Sequence, residues 1–229
     1  TDDEKARKDT DPRVRNKLAI QSLDAAMKVK KPTPVFFSPE DVKLITLGNF
    51  DDDLPKLKQC DWILECVVER MDIKKQILAK AAKHRRKGVI MSTNTSGLSV
   101  REMVAELDGE LKAHFMGTHF FNPVRHMKLL EIIPHPENKK DVVEFMKQFC
   151  AETLGKGVIL CKDTPDFVAN RIGIHGIMDT IKLMVEMDYR VDEVDAIVGP
   201  AMGRPKTAAF KTVDLVGVDI IPHVAATVY

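Results

Sequence analysis

Short runs that are apolar from end to end alternate with longer stretches of helical periodicity, and this alternation constrains the fold more than any other feature. "DWILECVV" (61–68) and "GVIMSTNT" (88–95) are apolar runs of strand length. Between them "MDIKKQILAKAAKHRR" has helical spacing, and "SVREMVAEL" has it again after the second run. A strand buried on both faces loses the alternation of polar and apolar residues, and parallel strands need a crossover of about a dozen residues. The pattern predicts a parallel sheet covered by helices on both faces. "LITLGNF" (44–50), followed by "DDDLPKLKQC", predicts one more strand–helix unit ahead of these. Residues 12–31 predict a helix with Val14, Leu18, Leu23, Ala26 and Met27 as its apolar stripe, broken by "KKPTP".

After residue 112 the rhythm changes. "HFMGTHFF" and "KLLEIIPH" are joined only by "NPVRH", too short for a crossover, so these strands should be antiparallel. A helix over 139–153 ends at Gly155, and "GVILCK" returns to the sheet. Beyond "KDTPDF" the chain is helical. "DFVANRIGIHGIMDTIKLMVEM" is too long for a buried strand, and "DEVDAIVG" predicts a shorter helix with Asp192 at its N-cap. The expected fold is α/β: an incomplete Rossmann-like doubly wound sheet over 1–162, then a smaller all-α domain over 163–229. No GxGxxG occurs in the sequence, and "GKG" at 155–157 leads from helix to strand, the reverse of a phosphate loop. The chain reads as truncated before its first βαβ unit.

At 229 residues the chain can bury a sizeable core. A net charge of +1 makes no electrostatic case for nucleic acid or an acidic membrane surface. No apolar run approaches the ~20 residues that span a bilayer, and the charged start lacks the apolar region of a secretory signal. Cys60, Cys66, Cys150 and Cys161 have neither metal-ligand nor disulfide-framework spacing. Cys66 and Cys161 lie in strand-like runs and are expected to be buried thiols, which suits a reducing compartment and makes the cytoplasm the expectation. His114, His126, His135 and His175 show no ligand spacing, so no metal is expected.

One stretch carries chemistry. "GTHFFNPVRHMKLLEII" (117–133) sets His119 and Glu131 in otherwise apolar strands. Buried polar groups need partners, and across a short antiparallel connection residues twelve apart can lie side by side. The pair is then either a structural hydrogen bond or a catalytic dyad. In a dyad the carboxylate fixes the tautomer and raises the basicity of the imidazole, whose other nitrogen accepts a proton. Ser96 follows "VIMSTNT" at the end of a strand, where sites of open α/β sheets form. It could also cap the next helix, although Ser99 is better placed for that.

"ILECVVERMDIKK", "STNTSGLS", "GTHFFNPVRHMKLLEII", "CKDTPDFVANRIG" and "DLVGVD" stand in the order found in L-3-hydroxyacyl-CoA dehydrogenases, the NAD-dependent enzymes of fatty-acid β-oxidation. The chain resembles that family from about residue 40 to 219, most closely the dehydrogenase portion of long bacterial proteins that also carry an enoyl-CoA hydratase region. It departs from the family in lacking the glycine loop, and in "GRPKTAAFKTVDLVG", which replaces the commoner Met-Gly-Pro pattern.

The resemblance implies NAD as cofactor and an acyl-CoA as substrate, with His119 as base and Glu131 as its orienter. It places Ser96 against substrate and nicotinamide, and Asn170 near the reacting oxygen. It places Asn122 at the nicotinamide end, and Glu69 and Lys74 near the ribose. By residue type alone, Asn170 and Asn122 suit local hydrogen bonding, and Glu69 and Lys74 suit solvated positions. The family's helical arm would bring Ser22, Lys28 and Lys30 to coenzyme A, although lysines there also serve solubility. Family members often pair through the helical domain, so a homodimer is a further expectation. Without the glycine loop, a folded but inactive acyl-CoA-binding module is the alternative.

Overall fold

The computed structural model describes residues 10–30 and 34–218. The charged run 1–9, most of the expected "KKPTP" break and the expected end of the helical domain (219–229) lie outside the described residues. The chain opens on α1 (Pro12–Arg15) and α2 (Lys17–Lys28), split at Asn16, which is the C-cap of the first and the N-cap of the second. Neither helix buries a residue.

Five strands form one sheet in the order β1 (Trp62–Glu65), β2 (Ile90–Thr93), β3 (Phe115–Phe120), β4 (Leu129–Ile133), β5 (Gly157–Leu160). All neighbours are parallel except β3 and β4, which are antiparallel as their short connection requires. The crossovers are α3 (Met71–Ala82) after β1, and α4 (Val100–Met103) with α5 (Gly109–Ala113) after β2. α6 (Lys140–Glu152) joins β4 to β5. The helical segment then comprises α7 (Ala169–Glu186), α8 (Val191–Val198) and α9 (Phe210–Val216). No helix among the described residues is long and apolar enough to cross a membrane.

The two-residue period of the strands sorts their side chains into two cores. Ile63, Met91, Phe115 and Ile133 pack with Leu78 of α3, Val100 and Met103 of α4, and Leu111 of α5. Ile90, Met116, Leu130 and Ile132 pack with Met146 and Cys150 of α6. Gly117 is fixed by the first core: a Cβ there would sit 2.9 Å from Ile133 Cδ1 and 3.1 Å from Val100 Cγ2.

Four expectations are corrected. Residues 44–50 form no strand: a 3₁₀ turn covers Pro39–Leu44, and 45–49 have no regular structure. The Asn49 side chain bends the chain there by accepting from the backbone N–H of Asp51 and Asp52. Cys66 is exposed because β1 ends one residue earlier, at Glu65. Asp192 is not a cap. α8 begins at Val191 after Arg190, so Asp192 lies inside the first turn, 2.9 Å being instead the bond from Arg190 N–H to Glu193. The helix expected over 99–107 stops at Met103, and Asp108 caps a separate short helix.

Candidate active site

The antiparallel register sets His119 directly opposite Glu131. His119 Nδ1 and Glu131 Oε2 are 2.7 Å apart, with both residues buried. The other carboxylate oxygen, Oε1, accepts from the backbone N–H of Val168 (3.0 Å) and Ala169 (2.8 Å) at the start of α7. Glu131 thereby joins the sheet to the helical segment as well as to the histidine. Burial alone would raise its carboxyl, but the bonds from His119, Ala169 and Val168 outweigh burial and hold it below the usual range. Cys161 lies 3.6 Å from the same oxygen, and burial, with Glu131 beside it, pushes that thiol up to about 12.

His119 Nε2 has no hydrogen-bond partner among the described residues, yet it is not one of the fully sealed unpaired atoms. The ring is walled by Phe121 at 4.4 Å and by Phe167, edge-on, at 5.8 Å. A nitrogen left accessible between aromatic walls, on a ring anchored through its other nitrogen, can accept a proton from a bound alcohol.

The turn after β2 comes to the same place. Asn170 on α7 donates from Nδ2 to the backbone oxygen of Ser96 at 3.3 Å. The Ser96 N–H donates to Glu69 Oε1 at 2.9 Å, and Thr95 donates its hydroxyl to the same oxygen. Ser96 is exposed, and its own hydroxyl forms no bond with a described residue. Ser99 caps α4, accepting from Glu102 N–H. Asn94 accepts from Phe120 N–H at 2.9 Å, tying the end of β2 to β3. Asn122 stands exposed just beyond β3, without a described partner.

Lys74 is not solvated. It is 1% exposed, with Nζ 3.0 Å from both oxygens of Glu65 and 3.2 Å from Glu69 Oε2. Glu65 also accepts from Thr93 Oγ1 (2.6 Å) and from Val67 N–H. A buried ion network therefore underlies Glu69 and, through it, the Ser96 turn. Ser22, Lys28 and Lys30 are exposed on and just after α2, and none of their side chains bonds to a described residue.

Two further residues, both within "KDTPDF", meet this region. Asp163 accepts from Val100 N–H, Arg101 N–H and Ser99 Oγ at 2.9 to 3.0 Å. Asp166 is buried with Oδ2 unpaired. The only sequence signal was the clustering of acids around a proline where the chain leaves the sheet. No group of three or more His, Cys, Asp or Glu among the described residues could hold a metal ion. A cavity of about 460 Å³ lies elsewhere, between α2 and β1, lined by Leu18, Phe50, Leu57, Ile63 and Leu64.

Comparison with known proteins places this geometry in a family. A profile described as "3-hydroxyacyl-CoA dehydrogenase, NAD binding domain" matches residues 7–164, and one described as "3-hydroxyacyl-CoA dehydrogenase, C-terminal domain" matches 167–229. A probable 3-hydroxyacyl-CoA dehydrogenase of Bacillus subtilis is 50% identical over 94% of this chain, which spans 27% of that relative. A putative fatty acid oxidation complex trifunctional enzyme of Rickettsia prowazekii is 33% identical over 96% of the chain, which spans 30% of it. The crystal structure of (S)-3-hydroxybutyryl-CoA dehydrogenase from Ralstonia eutropha superposes with a TM-score of 0.76 at 26% identity, covering 93% of this chain and 72% of that one. The chain thus spans under a third of either curated relative. Matched by both profiles and by these relatives along nearly its whole length, the chain belongs to the 3-hydroxyacyl-CoA dehydrogenase family.

Proposed function

We propose that the protein oxidises the 3-hydroxyl of an L-3-hydroxyacyl-CoA to the 3-oxo group, with His119 as general base, as a step of fatty-acid β-oxidation. The observation that carries this reading is the bond of His119 Nδ1 to Glu131 at 2.7 Å, which leaves Nε2 as the acceptor. The hydroxyl proton passes to Nε2, and Glu131 holds the ring and offsets its new charge. A base so placed contributes roughly 10²- to 10⁴-fold. Asn170, next to the Ala169 that bonds Glu131, and Ser96, whose backbone oxygen Asn170 holds, would position the substrate's reacting end.

The residues present fit the nicotinamide end of NAD. The Ser96 hydroxyl and the Asn122 amide are exposed polar groups without described partners, and both follow the carboxyl ends of strands. NAD, when bound, supplies the hydride acceptor. Glu69 would face its ribose, and Lys74, given its burial, would act by holding Glu69. Ser22, Lys28 and Lys30 would meet the coenzyme A moiety.

The same reading includes the division near residue 163, a cytoplasmic location and fusion to other β-oxidation activities, for which the Rickettsia relative's name is the support. It also includes pairing of two copies through the helical segment, where Val185 and Met187 are exposed.

The test is NADH formation from L-3-hydroxybutyryl-CoA. Turnover with NAD and the L-isomer, and none with free 3-hydroxybutyrate, is expected. An acyl-CoA-binding module without catalysis is the second reading, favoured by the apolar cavity of about 460 Å³ between α2 and β1. It predicts acyl-CoA binding with no change in NADH fluorescence.

A further inference from the structure

We propose that Asp166 is a positioning residue of the reaction, a second acid whose buried carboxylate acts through His119 and offsets the charge that the imidazole takes up. The inference rests on the reading of His119 as base.

Asp166 is 6% exposed, and its Oδ2 is buried with no partner among the described residues. An unpaired buried carboxylate oxygen is unfavourable, yet the backbone is bent to place it. Asp166 has φ +58° and Phe167 φ +46°, two successive left-handed residues at roughly 1–2 kcal/mol each. Strain of this kind concentrates at functional sites. The turn after Ser96 closes on the carboxyl: a Cβ at Gly97 would lie 2.6 Å from Asp166 Oδ1 and 3.1 Å from its backbone nitrogen. The next residue, Phe167, is the aromatic wall of His119.

The charged and titratable groups facing Asp166 are Arg171 on α7, Glu69 after β1 and His119 on β3. Burial pushes its carboxyl up. Arg171 and His119 pull the other way, Glu69 adds to burial, and the balance lies above the usual carboxylate range. In the reaction the substrate oxygen gives up its proton, the Nε2 lone pair forms the new N–H bond, and the ring gains one positive charge. Glu131 answers that charge through Nδ1. Asp166 answers it through space, in a setting with little water to screen it.

Asp166→Asn keeps the side chain's shape and suits the left-handed backbone, whereas Asp166→Gly removes both side chain and strain. Both should lower kcat on the order of tenfold at alkaline pH, equivalent to about one unit of differential interaction, with KM unchanged. The wild-type-to-Asn ratio should fall towards one as pH drops, because the wild-type acid becomes neutral like Asn. Melting temperature gives a readout without catalysis. A group with a raised folded value loses stability as pH rises through that value, so the Asn variant should gain on wild type as pH increases. A pH-independent kcat ratio, or variants with wild-type kcat, would overturn the proposal while leaving His119 as base. No turnover by the wild type would overturn both.

Discussion

Two buried acid–base pairs are anchored on one sheet, and they differ in what each leaves over. Between β1 and α3, Lys74 spends its ammonium on Glu65, Glu69 and the backbone oxygen of Val67. Both oxygens of Glu65 are likewise bonded. Between β3 and β4, His119 uses one nitrogen on Glu131 and keeps the other. A closed pair can only hold a shape. An open one can also exchange a proton, which is what the proposed base must do.

The largest effect that could break this comparison is on Glu131. Glu131→Gln should lower kcat roughly 10²- to 10⁴-fold, read as initial rates of NADH formation. It should also change acid unfolding. The carboxyl is lowered in the folded state, so its stabilisation is present above the unfolded carboxylate range and lost as pH falls through the folded value. The Gln variant should lack that component, giving a shallower loss of melting temperature on the acid side. An unchanged acid profile would mean that the bonds to Val168 and Ala169 are not worth their geometry.

Lys74→Met strikes the closed pair and leaves Glu65 buried and uncompensated. The expected loss is about 3–5 kcal/mol, or roughly 10 °C in melting temperature for a chain of this size. Thermal melts followed by circular dichroism would measure it. A Lys74→Met protein that melts like wild type and loses only affinity for NAD would break the comparison, making Lys74 a cofactor ligand. The smallest effect lies outside both pairs. Ser99 caps α4 and also meets Asp163, so Ser99→Ala should cost about 1 kcal/mol by denaturant titration, with kcat nearly unchanged.

The sheet was legible because each strand after residue 60 is a short apolar run and each crossover has helical spacing. The pairing of His119 with Glu131 was legible because twelve residues and one short loop leave an antiparallel pair little freedom of register. "LITLGNF" misled because an apolar run makes a strand only beside a partner, and Asn49 turns the chain instead. Glu69 is exposed as its residue type suggests, but Lys74 looked solvated because a nine-residue spacing does not reveal that it folds back beneath Glu65. The roles of Asp163 and Asp166 were not legible because the groups they meet lie more than sixty residues away in sequence: Asp163 accepts from Val100 N–H, and Asp166 packs against Gly97.

The proposed reaction depends on the free nitrogen of His119. Turnover of L-3-hydroxybutyryl-CoA by His119→Gln, measured beside its melting temperature, tests this most directly. A fall of roughly 10²- to 10⁴-fold in kcat, with the fold intact, is the predicted result. A folded variant turning over at the wild-type rate would contradict it.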